Sequence, residues 1–280
     1  MLRYNLFFLK YSRIEIASLI LNRLQQEKLQ LIEQFEASKN EIGFFYLDNL
    51  LPKELATSIY EEFPSVDDTV LRKNLKEYKY VAYQMDKYNP ILEEVLYAFQ
   101  DKKVVKLIEE ISGLTAVFPD KYLYAGGLSI MPKGKFLNPH LDNSHDKDRK
   151  HWRVLNVLYY VSPNWEDSFG GNLELWPKGL ENAPTTITSK FNRLVVMTTH
   201  QKSWHSVNKV LVDKSRCCVS NYYFSKQPIL NTDTFHVTSF RGRPTQKIRD
   251  IILRFDNALR MGVRKIFKKG VRKNPHQYKK

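Results

Sequence analysis

Between about residue 121 and residue 227 the chain alternates short aromatic and aliphatic runs with glycine, proline and asparagine. The runs are YLYAGGLSIMP, RVLNVLYYVS, GGNLELWP, RLVVMTT and RCCVSNYYFS. Runs of this length, bounded by turn-forming residues, predict short β-strands at close spacing. Several such strands favour an antiparallel sandwich or barrel.

The segments on either side have helical periodicity. Residues 14–38 place apolar residues at mostly three- and four-residue steps, so we predict one amphipathic helix there. A short strand should then lead to a helix beginning near Pro52, and a further helix should cover about 90–112 and end at Gly113. After Pro228 the helical period returns.

One main domain with appendages is expected, because 280 residues are many for a minimal domain and few for two independent cores. The predicted class is mainly β with flanking α. The predicted division is an amphipathic helical segment at 1–40, an α/β segment packing on the core at 41–120, the core at 121–227, and a basic C-terminal helix and tail at 228–280.

The basic character of the chain is a C-terminal feature. Residues 241–280 contain 14 Lys and Arg against Asp250 and Asp256, so this segment carries +12 of the net charge of +14. A basic helix and tail predict an anionic partner such as nucleic acid, a ribonucleoprotein or an acidic membrane surface. The alternative is a helix that packs its apolar face on the core and exposes its Arg and Lys to water.

We expect neither a transmembrane helix nor a signal peptide in this sequence, since its first apolar cluster is interrupted by Lys10. Its two cysteines, Cys217 and Cys218, are adjacent, and a bridge between them would be strained. We therefore predict a reduced, cytoplasmic setting.

A metal site is predicted from NPHLDN, in which His140 and Asp142 are two residues apart and so share one face of a strand. His200 and His205 follow a later strand and are both candidates for a third ligand. Two imidazoles and one carboxylate suit iron(II), because three ligands on one side leave positions for a co-substrate and dioxygen. A local zinc site with His145 in place of the distal His is the competing interpretation.

Arg216 opens the strand RCCVSNYYFS, eleven residues after His205. A guanidinium in this apolar setting needs an anionic partner, and it binds a carboxylate with two donors. We therefore predict that Arg216 anchors the distal carboxylate of 2-oxoglutarate. Ser220 shares its face, and Tyr160 lies on another predicted strand. Each could add a hydroxyl or be an ordinary core residue.

These segments together resemble the prolyl 4-hydroxylase-like branch of the 2-oxoglutarate oxygenases. The likeness covers about residues 121–226, in GGLSIMPKGKFLNPHLD, RVLNVLYYVSPNWEDSFGGNLELWP, RLVVMTTHQKSWHSV and RCCVSNYYFS. It implies that His140, Asp142 and His205, the last in an S-W-H pattern, bind iron and that Arg216 binds the co-substrate. It also places Tyr160 and Ser220 near the distal carboxylate.

The resemblance further implies a double-stranded β-helix, or jelly-roll, with N-terminal helices and a C-terminal helix. The implied activity is hydroxylation of an unactivated C–H bond, coupled to decarboxylation of 2-oxoglutarate to succinate, with Fe(II), O2 and ascorbate as a candidate reductant. GGLSIMPKG lacks the tyrosine that many prolyl hydroxylases place near the co-substrate. The substrate therefore stays open between a peptidyl residue, a small molecule and a glycan. A non-oxidative, metal-binding jelly-roll is the rival class.

Overall fold

The computed structural model of the chain describes residues 11–124, 126–146 and 148–267. Six α-helices lie within these ranges: α1 (Arg13–Gln26), α2 (Lys28–Ser38), α3 (Lys53–Glu61), α4 (Pro90–Ala98), α5 (Lys102–Ile111) and α6 (Lys247–Ile266). None of these described helices is both long enough and apolar enough to cross a membrane.

Thirteen strands form one antiparallel sheet. The first seven are β1 (Phe44–Asp48), β2 (Val70–Lys73), β3 (Glu77–Ala82), β4 (Val117–Pro119), β5 (Gly127–Met131), β6 (Phe136–Leu141) and β7 (Trp152–Tyr160). The other six are β8 (Leu173–Leu175), β9 (Thr185–Ile187), β10 (Arg193–Thr198), β11 (His205–Val207), β12 (Arg216–Ser225) and β13 (Ser239–Phe240). The predicted class, mainly β with flanking helices, is confirmed.

The strand order of the sheet is β1-β10-β7-β12-β5-β3-β6-β11-β8-β9, with β13 paired to β6, β2 to β3 and β4 to β12. Neighbours in space are mostly distant in sequence, and the sheet curls into a half-barrel. Strands β1, β2, β3 and β4 precede residue 121, and β13 follows residue 227. The sheet therefore extends beyond the predicted core on both sides, and the division at these positions stays a prediction.

Helices α1, α4 and α5 cover one face of the sheet through a single large apolar cluster that contains Ile20, Leu92, Ile108 and Tyr223. The helix expected over 14–38 is divided at Glu27, and the one expected over 90–112 is divided before Asp101. Asp101 caps α5 by accepting from the amides of Lys103 and Val104. Gly113 ends this region with φ +62°, as its position predicted.

Helix α6 lies where the sequence predicted a helix, but its apolar face points away from the core. Only Leu253 of this helix is buried, whereas its apolar stripe faces solvent. The alternative, in which the stripe packs on the jelly-roll, does not agree with this exposure. Helical periodicity identifies the apolar face of a helix, and it does not specify which face contacts the core.

Candidate metal and co-substrate site

His140, Asp142 and His205 meet at one point on the inner face of the half-barrel. Residues His140 and His205 are direct partners on the paired strands β6 and β11. Their Nε2 atoms lie 3.8 and 3.5 Å from Oδ1 and Oδ2 of Asp142, respectively. The three ligand atoms all lie within 4.8 Å of one another. This spacing suits one ion, so the donor set could hold a single Fe(II) with coordination positions left open.

Backbone carbonyl groups fix the orientation of both imidazoles. Nδ1 of His140 lies 3.0 Å from the carbonyl oxygen of Asn138, and Nδ1 of His205 lies 2.9 Å from that of Ser203. A carbonyl oxygen only accepts, so each Nδ1 carries the proton and donates. Each Nε2 therefore presents its lone pair to the other ligands, which is the tautomer that a metal-binding histidine needs.

Two residues that the sequence analysis did not identify hold Asp142. Nη1 of Arg153 lies 2.9 Å from Oδ1, and the side-chain amide of Asn156 donates to Oδ2 at 2.7 Å. Arg153 is buried, and its guanidinium also stacks 3.8 Å from the centre of the Tyr222 ring. Asn156 shares a face of β7 with Tyr160, which is the one signal that could have placed it in the site.

The pKa values of the ligands agree with metal binding. Burial lowers the pKa of His140 to about 3, with the nearby His205 contributing in the same direction. Burial alone would raise the pKa of Asp142, but Arg153 and then the two imidazoles outweigh it and hold this pKa below its usual range. His140 is therefore neutral and Asp142 ionised at pH 7, as ligands must be.

The C-terminal segment also reaches the site. The Phe240 ring stacks on the imidazole of His140, with centroids 5.1 Å apart and an angle of 15° between the planes. Phe240 is in β13, which pairs with β6 and leads towards α6. Residues beyond the predicted core thus shield one ligand from water.

A cavity of about 430 Å3 opens beside the ligands. His140, Asp142, Arg153 and Ser220 contribute to its wall. The cavity gives a substrate a route to the metal position, and it places Ser220 on that route.

Arg216 is four residues before Ser220 on β12, so the two side chains share one face of the strand. Arg216 is only 4% exposed. Its Nε donates to Oγ of Ser189 at 3.1 Å, and its Nη1 lies 3.7 Å from the sulfur of Met131. Among the described residues, no carboxylate forms an ion pair with this guanidinium. Met131 is the last residue of β5, and its thioether offers Arg216 no anion.

Tyr160 lies against Arg216, with the guanidinium carbon 4.7 Å from the ring centre. The Tyr160 hydroxyl is buried, and the polar groups that approach it are the guanidinium of Arg216 and the hydroxyl of Ser189. Burial raises the pKa of Tyr160 to about 12, although Arg216 opposes this. Arg216 and Tyr160 are thus brought together behind the cavity, whereas Ser220 lies at the cavity wall.

The alternative ligands do not join this cluster. Nδ1 of His200 accepts from the amide of Lys202 at 3.2 Å, and His145 contacts Oγ of Ser144 at 2.7 Å. Within the described residues, the cluster able to hold a metal consists of His140, Asp142 and His205. The geometry therefore favours His205 over His200, and it gives the local zinc site no support.

Comparison with known proteins agrees with this geometry. Residues 126–224 match the model of the 2OG-Fe(II) oxygenase superfamily. No curated protein matches the chain.

Several solved structures have a similar fold. A prolyl hydroxylase from Trichoplax adhaerens, in complex with a hypoxia inducible factor oxygen degradation domain peptide fragment, is 21% identical, with a TM-score of 0.53, 72% of this chain covered and 92% of that one. A Pseudomonas putida prolyl-4-hydroxylase is 15% identical, with a TM-score of 0.51 and coverage of 70% and 98%. A Phytophthora capsici prolyl 4-hydroxylase is 15% identical, with a TM-score of 0.55 and coverage of 92% and 78%.

These similarities confirm the jelly-roll, and the family match confirms the predicted enzyme class and its cofactors, Fe(II) and 2-oxoglutarate. The chain therefore carries a domain of the 2OG-Fe(II) oxygenase superfamily at residues 126–224, which makes it a 2-oxoglutarate-dependent dioxygenase built on the fold of the prolyl 4-hydroxylases.

Proposed function

We propose that this enzyme hydroxylates an unactivated C–H bond of a peptidyl residue, coupled to decarboxylation of 2-oxoglutarate to succinate. His140, Asp142 and His205 are the iron ligands in this proposal, and Arg216 binds the distal carboxylate of the co-substrate. Residues 121–227 form the catalytic core, to which the flanking segments add strands β1 to β4 and β13.

The observation that carries the proposal is the isolated charge of Arg216. A buried guanidinium without an anion is costly, and neither the hydrogen bond that Arg216 donates to Ser189 nor its contact with Met131 supplies negative charge. A dicarboxylate that reaches in from the metal would supply it. Because a guanidinium can hold both oxygens of one carboxylate, it would also fix the direction of the bound molecule.

The hydroxyl groups near Arg216 support the same assignment. The buried phenol of Tyr160 stays protonated at pH 7 and can donate to a carboxylate held by Arg216. Ser220 lies closer to the cavity and can contact the chain of the co-substrate. These two roles remain predictions for single side chains.

At the metal end, protein groups set the geometry of the three ligands. The backbone carbonyls hold the two imidazoles, while Arg153 and Asn156 hold the carboxylate of Asp142. Bound Fe(II) supplies the redox chemistry that activates dioxygen and cleaves 2-oxoglutarate. The cavity then determines which C–H bond is held near the metal.

A peptidyl substrate is favoured by the Trichoplax adhaerens structure of similar fold, which was solved with a peptide fragment. We also propose a cytoplasmic location. Cys217 and Cys218 are both free and buried, which agrees with a reducing compartment.

The test is succinate formation from 2-oxoglutarate with Fe(II), with and without oxygen, in the purified full chain. We expect oxygen-dependent succinate, with mass spectrometry showing a gain of one oxygen atom on a peptide after incubation with a peptide library. Arg216→Ala should raise the 2-oxoglutarate concentration needed by roughly 30- to 3000-fold, because removing one partner of a buried charge pair costs about 2 to 5 kcal/mol. Iron binding should persist.

Arg193→Ala is the matched control, since this partly buried arginine pairs with Asp48 at the far side of the sheet. Unchanged 2-oxoglutarate affinity in folded Arg216→Ala protein would contradict the anchor. Oxygen-independent turnover, or metal binding without any succinate, would favour the non-oxidative class. Hydroxylation of a small molecule or glycan with no peptide product would contradict the peptidyl substrate alone.

A further inference from the structure

Helix α6 exposes an uninterrupted apolar stripe to solvent. Its most exposed members, Ile248, Phe255 and Ile266, are 77%, 74% and 77% accessible. The complete stripe is Ile248, Ile251, Ile252, Phe255, Leu259, Val263 and Ile266, followed by Phe267. At about 3.6 residues per turn these residues share one side of the helix along its whole length.

The opposite face of α6 attaches to the enzyme through polar contacts. Asn257 exchanges two hydrogen bonds with the backbone of Phe240, and Nη1 of Arg260 donates to the carbonyl oxygen of Thr238 at 2.7 Å. Asp250 pairs with Arg241, with 2.6 Å between Oδ1 and Nε. These directional contacts fix the rotation of the helix, so the outward direction of the apolar stripe is built into the fold.

An amphipathic helix on the surface of a globular protein normally buries its apolar side against the core. Here the apolar side is the free one, and contiguous apolar patches of this kind mark a surface that binds something. The partner must therefore offer apolar contact along a helix of 20 residues.

One border of the stripe indicates the charge of this partner. Lys247, Arg254 and Lys265 are exposed and lie along one edge of it. Residues 268–280 continue the chain with six further Lys and Arg and no Asp or Glu. A partner that binds both the apolar stripe and these basic residues must combine negative charge with an apolar interior.

We propose that α6 docks this enzyme on an anionic lipid bilayer, with the stripe inserted at the level of the lipid headgroups. An apolar stripe bordered by basic side chains is the arrangement by which helices bind in the membrane interface. Nucleic acid would attract the charges but would leave Ile248 and Phe255 in water. A second copy of the chain would cover the stripe but would bring two basic borders together.

Docking in this orientation has a consequence for the active site. Arg260 and Arg264, on the inner side of α6, line the cavity beside the metal ligands. The helix therefore separates the cavity from the proposed lipid surface by roughly its own diameter, about 10 Å. Substrates held at or near a membrane surface would be presented to this cavity. This inference does not depend on the hydroxylation proposal.

The test is co-sedimentation of the full chain with vesicles of phosphatidylcholine alone and of phosphatidylcholine with about one third phosphatidylglycerol. We expect binding to the anionic vesicles, weaker binding to the neutral ones, and a decrease as salt rises. Phe255→Ser with Leu259→Ser should lower the partition coefficient at least about tenfold, because two large apolar side chains no longer enter the bilayer. Leu29→Ser is the matched control, since Leu29 is 78% exposed on α2.

A second pair of variants tests the charge independently of the apolar stripe. Lys247→Glu with Arg254→Glu should reduce binding to anionic vesicles and leave binding to neutral vesicles almost unchanged. Lys53→Glu with Lys178→Glu makes the same change in net charge at exposed positions elsewhere. Thermal unfolding of each variant verifies that the fold is retained.

Three results would overturn the proposal. The first is equal binding of Phe255→Ser/Leu259→Ser and the unaltered chain to anionic vesicles, and the second is no binding by the unaltered chain. The third is a different occupant: a dimer in light scattering that this double variant converts to a monomer, or RNA binding that requires Lys247 and Arg254 in the absence of any vesicle binding.

Discussion

The side-chain amide of Asn156 donates a hydrogen bond to Oδ2 of Asp142 at 2.7 Å, across the interior of the half-barrel. The other carboxylate oxygen pairs with Arg153 at 2.9 Å. Both oxygens of Asp142 are therefore fixed by side chains from β7, a strand that is not a neighbour of β6 in the sheet. The carboxylate orientation depends on the closure of the half-barrel, not on its own strand alone.

Asn156→Ala should weaken metal binding by about 10- to 100-fold, because a partner that orients a ligand typically contributes this much. Anaerobic titration with Fe(II), or with Co(II) as a spectroscopic substitute, measures the change. Asn221→Ala is the control, since Asn221 is also buried but donates to the carbonyl oxygen of Leu96 on the helical side of the sheet. Equal metal affinity of Asn156→Ala and the unaltered chain would contradict a role for this hydrogen bond.

His205→Ala should lose iron binding and succinate formation together, whereas His200→Ala should retain both. The reason is geometric. Nε2 of His205 lies 3.5 Å from Oδ2 of Asp142, whereas Nδ1 of His200 accepts a hydrogen bond from the backbone amide of Lys202. Metal titration and oxygen consumption of the two variants measure the difference. If His200→Ala lost the metal and His205→Ala kept it, the proposed third ligand would be wrong.

Features encoded by local periodicity could be predicted from the sequence. His140 lies on β6 and Asp142 directly follows this strand, and RCCVSNYYFS coincides with β12 from its first residue to its last. Both depend on the alternation of side chains along an extended backbone, which tertiary contacts do not alter. Gly113 likewise ends its helix in a conformation that favours glycine.

Features created by long-range packing were missed. Arg153 and Ser189 approach Asp142 and Arg216 only because distant strands meet, and neither has a distinctive local pattern. Phe240 covers His140 from a two-residue strand that is too short to produce a pattern. The break at Glu27 has neither glycine nor proline to mark it.

Tyr160→Phe should lower the affinity for 2-oxoglutarate by roughly 10- to 100-fold without changing metal affinity, since a hydrogen bond to a charged group contributes about 1.5 to 3 kcal/mol. Because the pKa of Tyr160 is raised to about 12, its phenol keeps the donated proton, and this contribution should be constant from pH 7 to pH 10. Calorimetric titration with 2-oxoglutarate on the anaerobic, metal-loaded enzyme measures both effects.

Tyr159→Phe is the control for the loss of a buried phenol. Tyr159 is the adjacent residue on the opposite face of β7, and its hydroxyl donates to Asn192 at 2.8 Å. We expect this variant to lose stability and keep its 2-oxoglutarate affinity. Unchanged affinity in Tyr160→Phe would leave Tyr160 as an ordinary core residue.

Acid should destabilise the metal-free protein, in part through His200. Burial lowers the pKa of His200 from 6.5 to about 4, with Lys202 contributing and Asp233 opposing. Above pH 6.5 His200 is neutral in both the folded and the unfolded state and has no effect. Between pH 6.5 and pH 4 the unfolded state binds the proton more readily, so the free energy of unfolding decreases as the pH falls.

His200→Asn should remove the part of the acid sensitivity that comes from His200. This part of the free energy of unfolding is at most about 3 kcal/mol, because each unit of pKa shift corresponds to about 1.36 kcal/mol. The side-chain oxygen of the asparagine can still accept the hydrogen bond from the backbone amide of Lys202. Urea unfolding at pH 7.5 and pH 4.5 with a chelator present measures it, and His151→Asn, at a partly exposed position, is the control. His140 and His145, whose pKa values burial lowers to about 3 and about 4, should leave some acid sensitivity in the variant. An equal loss of stability in His200→Asn and the unaltered chain would show that His200 does not resist protonation in the folded state.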